Sequence, residues 1–122
     1  MHTEVILAVK DVRRSAAWYE QLLGCRSSHG GSVFEILRNG QEEIMLCLHH
    51  WGDHGHPTLT DPGIAAGNGM ILYFKVENLS DIWRRAQMLD AVIEEEPHLN
   101  SNSGLEEFSL RDPDGYYISI SY

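Results

Sequence analysis

The strongest constraint on this chain is that its pattern occurs twice. Val9-Lys-Asp-Val12 is echoed by Val76-Glu-Asn-Leu79 at a separation of 67 residues, each between an alternating segment and a helically spaced one. Ahead of the first tetrad, Val5, Leu7 and Val9 alternate with Glu4, Ile6 and Ala8, the period-two mark of a strand over Glu4–Lys10. Behind it, Ala16, Ala17, Trp18, Leu22 and Leu23 recur at helical intervals. With Asp11 as N-cap and Gly24 where a C-cap belongs, the spacing predicts a helix over Arg13–Leu23. Strands follow over Cys25–His29, Val33–Arg38 and Glu43–Leu48, the last two joined by Asn39-Gly40, a two-residue hairpin signal.

The second copy runs the same way. Met70–Val76 reads as a strand, Asn78 or Ser80 as a cap, and Asp81–Leu89 as a helix burying Ile82, Trp83, Ala86 and Leu89. Ala91–Glu95 reads as a strand ended by Pro97. Leu105–Leu110 and Tyr116–Tyr122 form a hairpin about Asp112-Pro113-Asp114-Gly115, where Pro113 presets φ and Gly115 tolerates a positive one. Each copy is β-α-β-β-β. A solenoid needs at least three copies, so two predict an α+β domain, 1–122, of two modules near 1–50 and 69–122. The connecting loop, 51–68, is rich in glycine and proline. So long a loop in a compact domain is usually functional, mobile or wrongly assigned.

Composition removes whole classes of function. Eighteen acidic residues against nine basic give a net charge of −9, which repels phosphate backbones and argues against a nucleic-acid partner. The same charge suits a cationic small ligand. No apolar run is long enough to span a bilayer, and the charged stretch Met1–Lys10 is unlike a signal peptide. Cys25 and Cys47 fall outside any CxxC pattern, so reduced thiols in a soluble, cytoplasmic protein are expected.

The last strand has a greasy face, Ile118 and Ile120, and a polar one, Tyr117, Ser119 and Ser121. The same alternation sets Tyr73, Lys75, Glu107 and Ser109 on the polar side, with Leu72, Phe74, Phe108 and Leu110 toward the helices. A polar face of this kind either lines a ligand cavity or simply faces solvent. A second cluster lies at the start of the long loop: His49, His50, Asp53, His54 and His56, with Trp51 as an apolar contact for a lid. Imidazoles bind zinc, nickel and copper. Gly52 and Gly55, however, make the segment flexible, and ligands from one loop lack rigid backing, which favours adventitious metal binding or a solvated loop. No nucleophile–base pattern or phosphate-cradling loop is present, and Gly67-Asn-Gly69 precedes a strand rather than a helix.

Val9-Lys-Asp-Val-Arg-Arg-Ser15, Trp18-Tyr19, Leu22-Leu23-Gly24 and Leu110-Arg-Asp-Pro-Asp-Gly-Tyr116 together resemble the vicinal oxygen chelate superfamily. That group includes glyoxalase I, bleomycin resistance proteins, fosfomycin resistance enzymes and extradiol dioxygenases. The resemblance implies paired βαβββ modules curling into a U-shaped cleft, a homodimer, and cleft-bound small molecules, with the modules swapped or unswapped between chains. Its metal enzymes draw one His, Gln or Glu ligand from each of four strands. The matching positions here are Glu4, seven residues before Asp11, then Leu46, Ile71 and Ser119, four residues after Gly115. Only Glu4 is a good divalent-metal ligand, so no metal or other cofactor is expected. The reading is a metal-independent, antibiotic-resistance-type protein binding a cationic aromatic molecule through Glu4, Leu46, Trp51, Ile71, Tyr73, Lys75, Glu107, Ser109, Tyr117 and Ser119. The alternative is a lyase, isomerase or dioxygenase of the same superfamily. It would use a metal held by Glu4 and loop histidines, or Glu4 as a general base.

Overall fold

The computed structural model describes residues 2–122. The chain divides into two compact units, Met1–Ala65 and Ala66–Tyr122, each a four-stranded sheet with one helix.

In the first unit β1 (Ile6–Val9) leads into α1 (Val12–Leu23), and β2 (Arg26–Ser27), β3 (Phe34–Arg38) and β4 (Ile44–His50) follow. Helix α1 starts where expected, because the Asp11 side chain accepts from the Arg14 N–H, and it ends where Gly24 turns left-handed at φ 72°. Its buried stripe is Val12, Ser15, Ala16, Tyr19 and Leu22, while Ala17 is exposed. A 3.6-residue period admits one such stripe, and Val12 rather than Ala17 sets its phase. The sheet order is β1-β4-β3-β2, with β1 parallel to β4 and the other pairs antiparallel.

Two boundaries differ from expectation. The β3–β4 connection is not a two-residue turn on Asn39-Gly40. Asn39 Oδ1 accepts from the N–H groups of Gln41 and Glu43, Asn39 and Glu43 pair through their backbones, and Glu42, at φ 64°, takes the left-handed position. The Asn39 side chain satisfies donors that a tight turn would leave to solvent. Strand β4 also runs two residues past Leu48, through His49 and His50, because β1 pairs with both and β3 pairs with His49.

The second unit repeats this topology. It contains β5 (Leu72–Lys75), α2 (Leu79–Met88), β6 (Val92–Leu99), β7 (Glu106–Arg111) and β8 (Tyr117–Ser121), in the sheet order β5-β8-β7-β6. Helix α2 buries Leu79, Ile82 and Ala86, and the Trp83 ring meets Phe108 edge-on at 5.1 Å. Strand β6 does not stop before Pro97. It is an edge strand whose register slips between Glu95 and His98, so the missing proline N–H leaves no inner partner unpaired. The last hairpin closes as expected: the Gly115 N–H donates to the Asp112 carbonyl at 3.0 Å, with Gly115 at φ 91°. No helix among the described residues is long and apolar enough to cross a membrane.

Candidate functional site

Alternation in the first unit gives its sheet two unlike faces. Leu7, Val9, Leu37, Leu46 and Leu48 are all buried on one. Ile6, Ala8, Phe34, Ile36, Cys47 and His49 occupy the other, since Phe34 and Ala8 both pair with His49 and Ile6 pairs with Cys47. A cavity of about 820 Å³ opens on this second face. Ile6, Val33, Phe34, Pro57 and Leu59 supply its apolar wall, and Ser32, Thr58 and the imidazoles of His29, His49, His54 and His56 supply polar groups.

The wall at residues 28–31 is held from behind by Glu35. Its carboxylate accepts from the N–H groups of His29 at 2.6 Å, Gly30 at 2.7 Å and Ile36 at 2.8 Å. Burial would raise the pKa of this carboxyl, but the backbone donors outweigh burial and hold it below its ordinary value. The opposite wall is the loop after β4. Trp51 donates its N–H to the Val9 carbonyl at 3.3 Å, and Gly52 donates to Leu59 at 2.7 Å, closing residues 52–59 on themselves. A short 3₁₀ turn, Asp53–Gly55, carries His54, and the His50 ring pairs with the Asp53 carboxylate at its start.

In this loop His49, His54 and His56 converge. Their ring centroids lie 5.0–5.8 Å apart, and one ring nitrogen from each lies within 4.8 Å of the others. His50 is not part of this group.

In the second unit the register gathers the polar residues onto one sheet face. Tyr73 pairs with Ser119 and Ser119 with Ser109; Lys75 pairs with Ser121 and Ser121 with Glu107; Arg111 pairs with Tyr117. Ser109 and Ser119 share a hydrogen bond at 3.1 Å, Asn100 donates to Glu107, and the Tyr117 hydroxyl donates to Glu95 at 3.0 Å. The serines and Glu107 are buried, while Tyr73 and Lys75 are exposed.

The remaining residues singled out from sequence are placed as follows. Glu4 precedes β1, is exposed, and its carboxylate meets the His2 ring at 3.4 Å; it does not line the cavity. Leu46 lies on the face opposite His49 and is 1 % exposed, so it is core rather than cavity wall. A one-residue change of phase moves a strand side chain to the other face, and β4 is phased so that Cys47, not Leu46, shares the face of Ile6. Ile71 precedes β5 and is exposed, and Trp51 is half-buried and outside the cavity lining.

The four positions of the superfamily's metal set therefore do not fit a metal. They carry one exposed carboxylate, two hydrocarbon side chains and a hydroxyl already bonded to Ser109. Cavity residues not singled out from sequence are Ile6, His29, Gly31, Ser32, Val33, Phe34, Pro57, Thr58 and Leu59. The alternation that puts Ile6 beside Ala8 and spaces Phe34 from Ile36 was the signal for the strand members. Nothing local marks the loop members.

A family model described as the Glyoxalase/Bleomycin resistance protein/Dioxygenase superfamily matches residues 2–120. No curated protein sequence matches the chain. Among solved structures, a glyoxalase/bleomycin resistance protein/dioxygenase family enzyme from Burkholderia phytofirmans PsJN is similar at TM-score 0.80 and 18% identity, covering 97% of this chain and 94% of that one. TioX from Micromonospora sp. ML1 is similar at TM-score 0.72 and 20% identity, covering 99% and 97%. An integron cassette protein from the mobile metagenome of V. cholerae is similar at TM-score 0.74 and 24% identity, covering 99% and 93%. At these identities the likenesses show the fold.

Proposed function

Because the chain belongs to the glyoxalase/bleomycin resistance protein/dioxygenase superfamily, we propose that it binds a small amphipathic aromatic molecule without the four-strand metal set of the superfamily's enzymes. The observation that carries this reading is the cavity of about 820 Å³ in the first unit. Small-ligand sites run from roughly 300 to 1,000 Å³ and combine apolar walls with a few polar groups that fix orientation. Here Ile6, Val33, Phe34 and Leu59 supply the wall, and Ser32, Thr58 and the imidazoles supply the polar groups.

A cationic aromatic ligand fits in two ways. The net charge of −9 enriches cations around the protein, and the Phe34 ring offers a face for a cation–π contact. No carboxylate lines the cavity, so its charge preference comes from these weaker effects rather than from an ion pair. The full reading is sequestration of an antibiotic-like molecule by a cytoplasmic homodimer. The polar face bearing Tyr73, Lys75, Glu107, Ser109, Tyr117 and Ser119 is a second candidate surface for the same ligand.

Calorimetric titration with a panel of cationic aromatic antibiotics, in buffer containing a strong chelator, tests this directly. Saturable one-to-one binding is expected. Phe34→Ala should weaken it by about 1–2 kcal/mol, on the order of tenfold, through lost ring contact. Binding indifferent to Phe34→Ala, or ligand turnover that stops in chelator, would overturn the proposal. Light scattering of the same sample reports whether the protein is a dimer.

A further inference from the structure

We propose that His49, His54 and His56 form a three-imidazole site for zinc or a similar divalent transition metal, set in the wall of the first unit's cavity. None of the three stands at a position of the superfamily's four-strand set. The site is therefore built from the end of β4 and the loop that follows it.

The first argument is the state of His49. It is buried at the end of β4, and its Nδ1 lies 2.7 Å from the His50 carbonyl oxygen. A carbonyl only accepts, so Nδ1 donates in this bond, and in the neutral ring Nε2 is the nitrogen that holds the lone pair. A ring held by one nitrogen to a backbone carbonyl, with the other left bare, is how metal-binding histidines are oriented.

The second argument is the loop. The closure of Gly52 on Leu59, the Leu59 N–H donating to the His56 carbonyl at 3.2 Å, and the His50–Asp53 pair bring His54 and His56 back over His49. His54 sits at φ 61° and Gly55 at φ 60°. A non-glycine residue held left-handed is a strained conformation that the surrounding structure must impose. Here it turns the His54 ring toward the other two, 5.7 Å from His49 and 5.8 Å from His56.

The third argument is donor chemistry. Three imidazoles without thiolate or carboxylate suit zinc, nickel and copper rather than magnesium or calcium. In a tetrahedral site with bonds of about 2.0–2.1 Å the nitrogens stand about 3.4 Å apart. The observed atoms lie within 4.8 Å of one another, and His54 and His56 are exposed, so rotation of these two side chains is the movement that closure on a metal requires. Three protein ligands leave the fourth position open, and all three line the cavity. A bound metal thus presents its open position to water or to a donor atom of a cavity ligand.

Chelator-treated, untagged protein titrated with Zn²⁺ by calorimetry should take up one equivalent. X-ray absorption should count three imidazoles and one further nitrogen or oxygen donor. His54→Ala and His56→Ala, both exposed positions, should each weaken binding by about tenfold or more, whereas His2→Ala and His98→Ala should not change it. At about a hundredfold excess over the parent's Kd, the metal should raise Tm by about 10 °C in the parent and by about half of that or less in either loop variant. Absence of stoichiometric uptake overturns the site, as does uptake that survives both loop substitutions. Because the antibiotic titrations contain chelator, failure of the metal site leaves the proposed binding function standing, and the converse also holds.

Discussion

At the scale of single residues, the decisive groups are buried polar side chains whose partners are backbone. Glu35 is 3 % exposed, yet it is ionised because three backbone N–H groups converge on it. Its folded pKa lies below the ordinary 4.5, so as pH falls the unfolded chain takes up the proton first. The stability Glu35 contributes is whole above about 4.5 and disappears as pH falls through the lower folded value. Glu35→Gln should cost about 2–3 kcal/mol at neutral pH, and urea unfolding of the variant should lose part of the acid dependence of the parent. The two thiols behave oppositely. Burial, with the Glu20 charge adding to it and a backbone contact opposing it, pushes Cys25 up to about 11. Burial and Glu4 raise Cys47, partly offset by Arg38. Both are free and buried, so a thiol reagent at pH 7 should modify them only as fast as the protein opens, and rapidly in denaturant. The cysteines' placement outside any metal-binding pattern was legible from spacing. The role of Glu35 was not, since its donors at His29 and Gly30 come from the segment before β3 and only the folded turn brings them to its carboxylate.

At the scale of elements, most helices and strands follow from periodicity, and the exceptions have local causes. The Asp11 cap and the left-handed Gly24 bound α1 as the sequence suggests, and Asp11→Ala should cost about 1 kcal/mol by thermal unfolding. Asn78 caps α2 by position only, with no side-chain hydrogen bond. The glycines before β5 show how packing divides residues that look equivalent. Gly67 at φ 70° and Gly69 at φ 86° both resist a side chain, at about 1–2 kcal/mol. A Cβ on Gly67 would also stand 2.7 Å from the ring of buried Tyr116, whereas one on Gly69 meets nothing. Gly67→Ala should therefore destabilise clearly more than Gly69→Ala, a ranking that parallel denaturation curves decide. The extension of β4 through His50 escapes a local reading, because glycines and histidines follow and the reason for continuing is pairing with β1 and β3. That extension is what makes His49 a strand residue with a fixed ring.

At the scale of the whole molecule, the duplicated β-α-β-β-β pattern is the dominant fact, and the two sheets share one strand order. The excess of acidic residues sets the long-range field, so gel-shift assays at about 50 mM salt should show no retention of duplex DNA. Period-two and period-3.6 patterns, cap residues and the Asp-Pro-Asp-Gly turn are local, short-range signals. They carried the element order and the polar character of one face of the second sheet, while the resemblance to the superfamily rested on the motifs around Val9–Ser15 and Leu110–Tyr116. Phase and proximity are not local. Leu46 lies in the core because β4 pairs with its neighbours in one phase, and a shift of one residue would have turned it to the cavity. His49, His54 and His56 meet because a glycine-bearing loop folds back through Gly52 and Leu59. The spacing of those histidines along the chain describes a flexible segment equally well. Backbone hydrogen bonds between distant residues select which of the two descriptions holds, and only the folded chain contains them.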